Sequence, residues 1–213
     1  IGTVNTKDTN QQELSNMMVG RPVQLVVEKG PAKPTDVVLE VRDLKVPSHL
    51  HKRDAVNGVS FDVRRGEIVC IAGIDGNGQT ELVQGITGLD KVSGGSIKLC
   101  GQDITHSTIR KRNENLSHIP EDRHKHGLIL DFTLEQNMVL QRFREHPFQH
   151  GGFINNAEVR KYAERLIDKY DVRSGQGAVT VVRSMSGGNQ QKAIIARELD
   201  PDKPLVVAVQ PTR

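Results

Sequence analysis

The chain has 213 residues, enough for one domain with a sizeable core. An apolar share of 36% and a charged share of 26% suit a soluble globular protein, while 3% aromatic residues and no Trp disfavour a surface that stacks single-stranded bases. The net charge of +3 is compatible with phosphate ligands or a nearby membrane surface and demands neither.

Residues 1–20 begin with a polar stretch that lacks the apolar core of a secretion signal. They then read as a short helix, with Thr9 as N-cap, Leu14, Met17 and Met18 on one face, and Gly20 closing it. Residues 21–36 carry Pro22, Pro31 and Pro34 among Lys, Gly and Thr, which is linker composition. From Val37 the alternation changes to that of a strand over 37–46, and a second strand spans 55–63 with Val56, Val59, Phe61 and Val63. After a turn at 64–67, the run Ile68-Val-Cys-Ile-Ala predicts a strand buried on both faces. A glycine-rich turn and a helix over 81–86 follow. Ile97-Lys-Leu-Cys is then half of a hairpin that ends at Gly101. Cys70 and Cys100 both sit in such apolar runs and are expected as buried, reduced thiols. No apolar run approaches the ~20 residues a membrane span needs, so a cytosolic chain is expected.

Residues 115–119 predict a further strand ending at Pro120, followed by a charged, histidine-rich loop over 121–127. Helices are expected at 134–144, with Leu134, Met138 and Val139 inward, and at 157–170, with Val159, Ala163, Leu166, Ile167 and Tyr170 on one stripe. Ser184-Met-Ser-Gly-Gly opens a last helix over 189–199, and Leu205-Val-Val-Ala-Val reads as a second wholly buried strand.

Two motifs carry chemistry. Gly73-Ile-Asp-Gly-Asn-Gly-Gln-Thr lies between an apolar run and a helix, the setting of a phosphate-binding loop. Gly73, Gly76 and Gly78 let backbone N–H groups turn onto phosphate oxygens, and the helix start favours an anion. Asp75, Asn77 and Glu81 complete the candidate set, and Thr80 is placed to ligate Mg²⁺. Where the pattern has lysine, Gln79 supplies only a neutral donor. A glycine-rich turn without ligand is the bland alternative. About a hundred residues on, Met185-Ser-Gly-Gly-Asn-Gln-Gln-Lys-Ala again places a serine and backbone amides at a helix start, which by itself is also a plain serine N-cap.

Taken together, 57–80, the run His118-Ile-Pro-Glu-Asp-Arg-His-Lys-His-Gly-Leu, the Ser-Gly-Gly-Asn-Gln-Gln-Lys stretch and Gln210-Pro-Thr-Arg resemble the second nucleotide-binding domain of a tandem, sugar-type ABC import ATPase. The Glu-Asp-Arg-His-Lys-His form of the loop is most similar to the branch associated with nucleoside uptake. The resemblance spans 37–213. It implies a P-loop α/β fold of the ABC ATPase type, with an antiparallel β subdomain at 37–65, a mixed sheet carrying the phosphate loop, and a helical subdomain at about 130–185. Residues 1–20, with Met17-Met-Val-Gly-Arg, resemble the tail of a preceding first domain, and the chain is expected to stop before the D-loop and switch histidine.

Carried over residue by residue, the resemblance implies a decayed site. Val209 and Gln210 stand where the family has the Mg²⁺-holding Asp and the Glu base, so no catalytic residue is assigned. Glu121 stands at the Q-loop glutamine, and the adenine-stacking position falls near Leu50, between His49 and His51. The signature Ser186, Gly187, Gly188, Asn189 and Gln190 is intact in kind. ATP is the implied cofactor, with Mg²⁺ held weakly or not at all. The implied partners are the first domain of the same polypeptide, the membrane permease and, indirectly, a substrate-binding protein, at the inner face of the membrane and without nucleic acid. His118, His124 and His126 lack metal-ligand spacing and read as part of a solvated loop. The stretch 131–150, with Phe132, Phe143 and Phe148, faces a permease helix by resemblance or is plain subdomain core. Two rivals stay open: a soluble ABC ATPase with nucleic-acid or ribosome partners, and an interaction domain that binds no nucleotide.

Overall fold

The computed structural model describes residues 2–20, 22, 29–74 and 76–211. The chain divides into two units, 1–33 and 34–213. Among the described residues no helix is long and apolar enough to cross a membrane.

The first unit holds helix α1 (Gln11–Val19). Its N-cap is Asn10, not Thr9: the Asn10 side chain accepts the Glu13 N–H at 2.9 Å, while the Thr9 hydroxyl donates to the Glu13 carboxylate at 3.1 Å. Asn is the stronger cap, and either residue fits the sequence signal. Gly20 closes the helix in the left-handed region. Most of the expected linker, 21 and 23–28, lies outside the described residues.

In the second unit, β1 (Val37–Pro47) pairs antiparallel with β2 (Asp54–Arg64) on one side and β3 (Gly94–Leu99) on the other. The short β4 (Gln102–Asp103) folds back on β3, as the hairpin reading expects. β1 is therefore the inner strand, and Val41, Leu44 and Val46 are fully buried. They pack with Ile97 and Leu99 of β3 and with Leu82 and Ile86 of helix α2 (Gln79–Thr87) in one cluster. Each such side chain contributes about 1.5–3 kcal/mol on full burial.

The far end of α2 is held by a buried cation on the short helix α3 (Ile109–Arg112). Arg112 is 2% exposed. It donates to the carbonyls of Gly85 and Ile86 at 3.0 and 2.7 Å, and to those of Thr105 and Ser107 at 2.9 and 3.2 Å. It satisfies carbonyls that the helix end leaves open, and its charge suits the negative end of the helix dipole.

β5 (Leu116–Ile119) pairs in parallel with β8 (Leu205–Ala208), in the register Leu116 with Leu205 and Ile119 with Ala208. Between them the chain builds a helical layer. α4 (Leu134–Met138), α5 (Asn156–Lys169) and α6 (Gly187–Leu199) share a core of Leu134, Met138, Ala163, Leu166, Val182 and Ile194. The hairpin β6 (Gln149–His150) and β7 (Phe153–Ile154) projects from it. Asp200 joins α5 to the end of α6: it accepts from Arg165, Lys169 and Tyr162, and the Arg165 guanidinium first of all holds its carboxyl down to about 2.

Further expectations fail. Residues 68–72 form no strand, and Ile68, Ile71 and Ile74 are 85%, 50% and 79% exposed. A run buried on both faces needs a hydrogen-bonded neighbour at each edge; among the described residues none pairs with it. The phosphate loop is consequently not carried by a sheet strand. β8 is only half covered, with Val206 41% exposed. Cys70 and Cys100 are both exposed: Cys70 belongs to the unpaired run, and Cys100 turns out of the β3–β4 hairpin at φ 51°.

Candidate functional site

The loop from Gly73 to Thr80 leads into the start of α2; Asp75 lies outside the described residues. Gly76 and Gly78 take φ of 84° and 92°. At Gly78 a Cβ would lie 2.6 Å from the carbonyl oxygen of Ala55 on β2, so only glycine lets the helix start this close to the sheet. Asn77 N–H bonds to the Ile74 carbonyl at 3.2 Å and closes the turn. The N-cap Gly78 brings no side-chain cap to α2, and the N–H groups of a helix's first turn, which have no intrahelical partner, suit an anion. Thr80 is exposed, and Glu81 sits in the first turn.

Gln79 lies across the loop. Its amide donates to the Ile74 carbonyl at 3.2 Å, and it runs so close to Gly73 that a Cβ there would lie 1.9 Å from the amide nitrogen. The side chain at the centre of the loop is thus a neutral donor already engaged with the loop.

A cavity of about 190 Å³ opens beside the start of α2, lined among others by Thr80, His118, Glu121, Lys125, His126 and Val209. A larger one, about 350 Å³, lies along α5 and the turn Gly177–Val179 and contains none of the candidate residues. In the smaller cavity Val209 continues the β5–β8 ladder, its N–H on the Ile119 carbonyl at 2.9 Å, and offers no ligating atom. One residue on, Gln210 stands at φ 44° and donates its amide to the Glu121 carboxylate at 3.0 Å. Thr80, Glu121 and Asp122 are among the oxygen-bearing side chains that line this cavity.

His118 is held neutral: burial, reinforced by His126 and Arg197, pushes its pKa down to about 4. The unfolded chain takes up this proton near pH 6.5, the folded chain only near pH 4. The contribution is therefore complete above pH 6.5 and is lost as the pH falls toward 4. We expect His118→Phe to flatten the fall in stability between those values. Denaturant midpoints across that range check it; an unchanged slope would mean that another group carries it.

At the other motif, Ser186 is the N-cap of α6, with its hydroxyl accepting from Asn189 at 3.0 Å. Ser186 and Gly188 are exposed, and a Cβ on Gly188 would meet open space. Gln190 differs. It is buried, donates to the carbonyls of Val182 and Met185 at 3.0 and 3.3 Å, and accepts from His124 Nε2 at 2.9 Å. It shapes the turn from inside and does not face a ligand. His49 pairs with Asp90 at 2.7 Å, and Leu50 is 85% exposed. Sequence reasoning did not single out Arg123 or assign His124 a role; both reach the signature turn from the loop after β5.

The family model described as ABC transporter matches residues 56–213. The whole chain is 49% identical to the nucleoside import ATP-binding protein NupA of Lactococcus lactis and 46% identical to the guanosine import ATP-binding protein NupO of Bacillus subtilis. It spans 42% of the length of each. It is also 39% identical to the glucose import ATP-binding protein TsgD13 of Haloferax volcanii, spanning 39% of that protein. Among solved structures, the dimeric cassette MJ0796 in a post-hydrolysis state with ADP and phosphate superposes with a TM-score of 0.68 at 23% identity, covering 82% of this chain and 74% of that one. Its fold is that of the ABC cassettes, and the chain belongs to the ABC transporter family.

Proposed function

We propose that this chain is the second, degenerate nucleotide-binding domain of an ABC import ATPase for nucleosides or sugars, energising transport through a membrane permease at the cytoplasmic face. In this reading residues 1–20 belong to the preceding domain, 21–36 are a linker, and 37–213 are the domain itself, with its helical part at about 130–185. The names of the relatives support the substrate class, NupA and NupO being nucleoside and guanosine import ATP-binding proteins. The first domain, the permease and a substrate-binding protein are the partners.

One contrast carries the proposal. The glycine turn from Gly76 leads into the start of α2, which supports an amide cradle for phosphate, while Gln79, Val209 and Gln210 bring no cation, no carboxylate and no base at the positions where the family resemblance implies them. The signature turn, by contrast, is open at Ser186 and Gly188. ATP brings the phosphates that these amides hold. Gln79 cannot neutralise the charge that develops in phosphoryl transfer, and the Gln210 amide cannot accept a proton from water. Ser186, Gly187 and Gly188 serve the site whose phosphate loop lies on the first domain.

Equilibrium binding of a fluorescent ATP analogue, with and without Mg²⁺, tests this. We expect binding that depends little on Mg²⁺ and turnover well below ~1 s⁻¹. Turnover at ordinary enzyme rates refutes the degenerate site. Absence of binding leaves the domain only its signature surface.

A further inference from the structure

Asparagine precedes glycine at positions 57 and 77 only. An asparagine in that setting can react with its own backbone, because a following residue without Cβ leaves its amide nitrogen open to the side-chain carbonyl carbon. The two pairs sit in different surroundings. Asn57 lies inside β2, opposite Lys45 of β1, with Val59 opposite Leu44. Its backbone moves only when that ladder opens, which costs free energy. Asn77 stands exposed in the loop before α2, between Gly76 and Gly78, which take φ of 84° and 92°. Its own N–H bonds the Ile74 carbonyl at 3.2 Å. Among the described residues neither the Asn77 side chain nor the Gly78 N–H has a hydrogen-bond partner.

We propose that Asn77–Gly78 is a self-modification site, at which solvent water converts the side-chain amide to a carboxylate and closes the loop to phosphate. The Gly78 nitrogen gives its proton to solvent base and bonds to Asn77 Cγ. The Cγ–Nδ2 bond breaks, the leaving nitrogen takes a proton from water and departs as ammonia, and a cyclic imide remains. Water then opens the imide. Addition at Cγ restores the chain with aspartate at 77. Addition at the main-chain carbonyl leaves isoaspartate, with the backbone one methylene longer. The sum is one water consumed and one ammonia released, without oxidation or reduction.

Either product puts a negative charge among the glycines that lead into α2, where a phosphate meets like charge. Isoaspartate does more. A Cβ at Gly78 would lie 2.6 Å from the Ala55 carbonyl oxygen, so the backbone there has no slack. A longer backbone just before it cannot keep both that approach and the start of α2. Gly78 is also the N-cap of α2, so the nitrogen that attacks carries one of the N–H groups left open at this helix start. Once bonded to a phosphate, that N–H is held from attack. Occupied loops are therefore preserved and empty ones age. This protection rests on the reading of the loop as a nucleotide site; the reaction itself does not.

Peptide mapping of the whole chain, stored in mildly alkaline buffer with and without ATP, measures aspartate and isoaspartate at both positions. Without ATP we expect Asn77 to react at least about tenfold faster than Asn57, which waits for its ladder to open. Equal rates, or a faster Asn57, overturn the site. ATP at about ten times its Kd should slow Asn77 about tenfold and leave Asn57 unchanged. Asn77→Asp carries the product's charge from the start. At an unchanged denaturant midpoint it should bind ATP at least about fivefold more weakly than the unaltered chain, as for like charges close together in water. An affinity equal to the parent's overturns the claim that modification closes the loop. In Asn77→Gln, whose longer side chain cyclises far more slowly, no conversion should appear at 77 and the affinity should not drift with storage. If calorimetry shows ATP bound while Asn77 reacts at its full rate, the Gly78 N–H does not hold phosphate and the protective link falls. If no ATP binds, the nucleotide reading falls, while the rates at 77 and 57 still decide the site.

Discussion

Glu198→Ala should cost about 3–5 kcal/mol of folding stability, a large part of the 5–15 kcal/mol of a typical domain. Glu198 and Arg197 end α6 as a buried pair, 1% and 5% exposed, with Arg197 Nε on Glu198 Oε1 at 2.8 Å. The carboxylate also accepts from Gln141 at 2.9 Å and from the His118 N–H at 3.2 Å, while the Glu198 carbonyl accepts from Ser117 at 2.5 Å. One residue thus ties α6 to β5 and to the chain after α4. Truncation strands the guanidinium of Arg197 in the interior, and the stranded charge, more than the lost attraction, sets the size of the effect. Glu198→Gln keeps one acceptor oxygen, enough for Gln141 and Arg197 on the Oε1 side while the His118 N–H loses its acceptor, and should cost less than truncation. The double change Arg197→Met with Glu198→Leu removes both charges and should recover much of the loss. Urea midpoints decide it: a cost below about 1 kcal/mol for Glu198→Ala would show that water reaches Arg197.

What was legible in the sequence was whatever local chemistry decides. The strands at β1 and β2, the hairpin at Gly101, the amphipathic α5 and the serine-led start of α6 all follow from periodicity and turn residues. α4 is shorter than its apolar pattern. Asn137 turns its amide back on the carbonyls of Ile129 and Thr133, and beyond Met138 the chain tightens into three-residue turns, with Arg142 N–H on the Val139 carbonyl. Residues 68–72 announce an apolar demand, but whether a strand meets that demand depends on neighbours far along the chain, which periodicity cannot see. The same holds for the site. Glu121 and Gln210 are 89 positions apart, and only the parallel register of Ile119 with Ala208 brings the two positions just beyond these strands together.

That register gives the last prediction its form. Gln79→Lys should raise ATP affinity about tenfold or more, since a hydrogen bond from a charged donor contributes about 1.5–3 kcal/mol and 1.4 kcal/mol is one factor of ten. The Gln79 amide donates to Ile74 from the middle of the loop, so a longer, charged side chain from the same position can reach the phosphates that the amide leaves to the backbone. Turnover should not follow, because position 210 still offers an amide. Gln210→Glu is the obvious repair and should fail alone. It places a second carboxylate against Glu121, where an amide now donates at 3.0 Å. Both groups are exposed, so the repulsion is on the order of 1 kcal/mol, as for like charges close together in water. Adding Glu121→Gln restores one carboxylate and one amide in reversed positions and should recover that loss. Calorimetric ATP titrations and denaturant midpoints of the two single changes and the double change measure both effects. If Gln210→Glu is as stable as the parent and Glu121→Gln repairs nothing, the two positions are independent, and the contact between them does not shape the site.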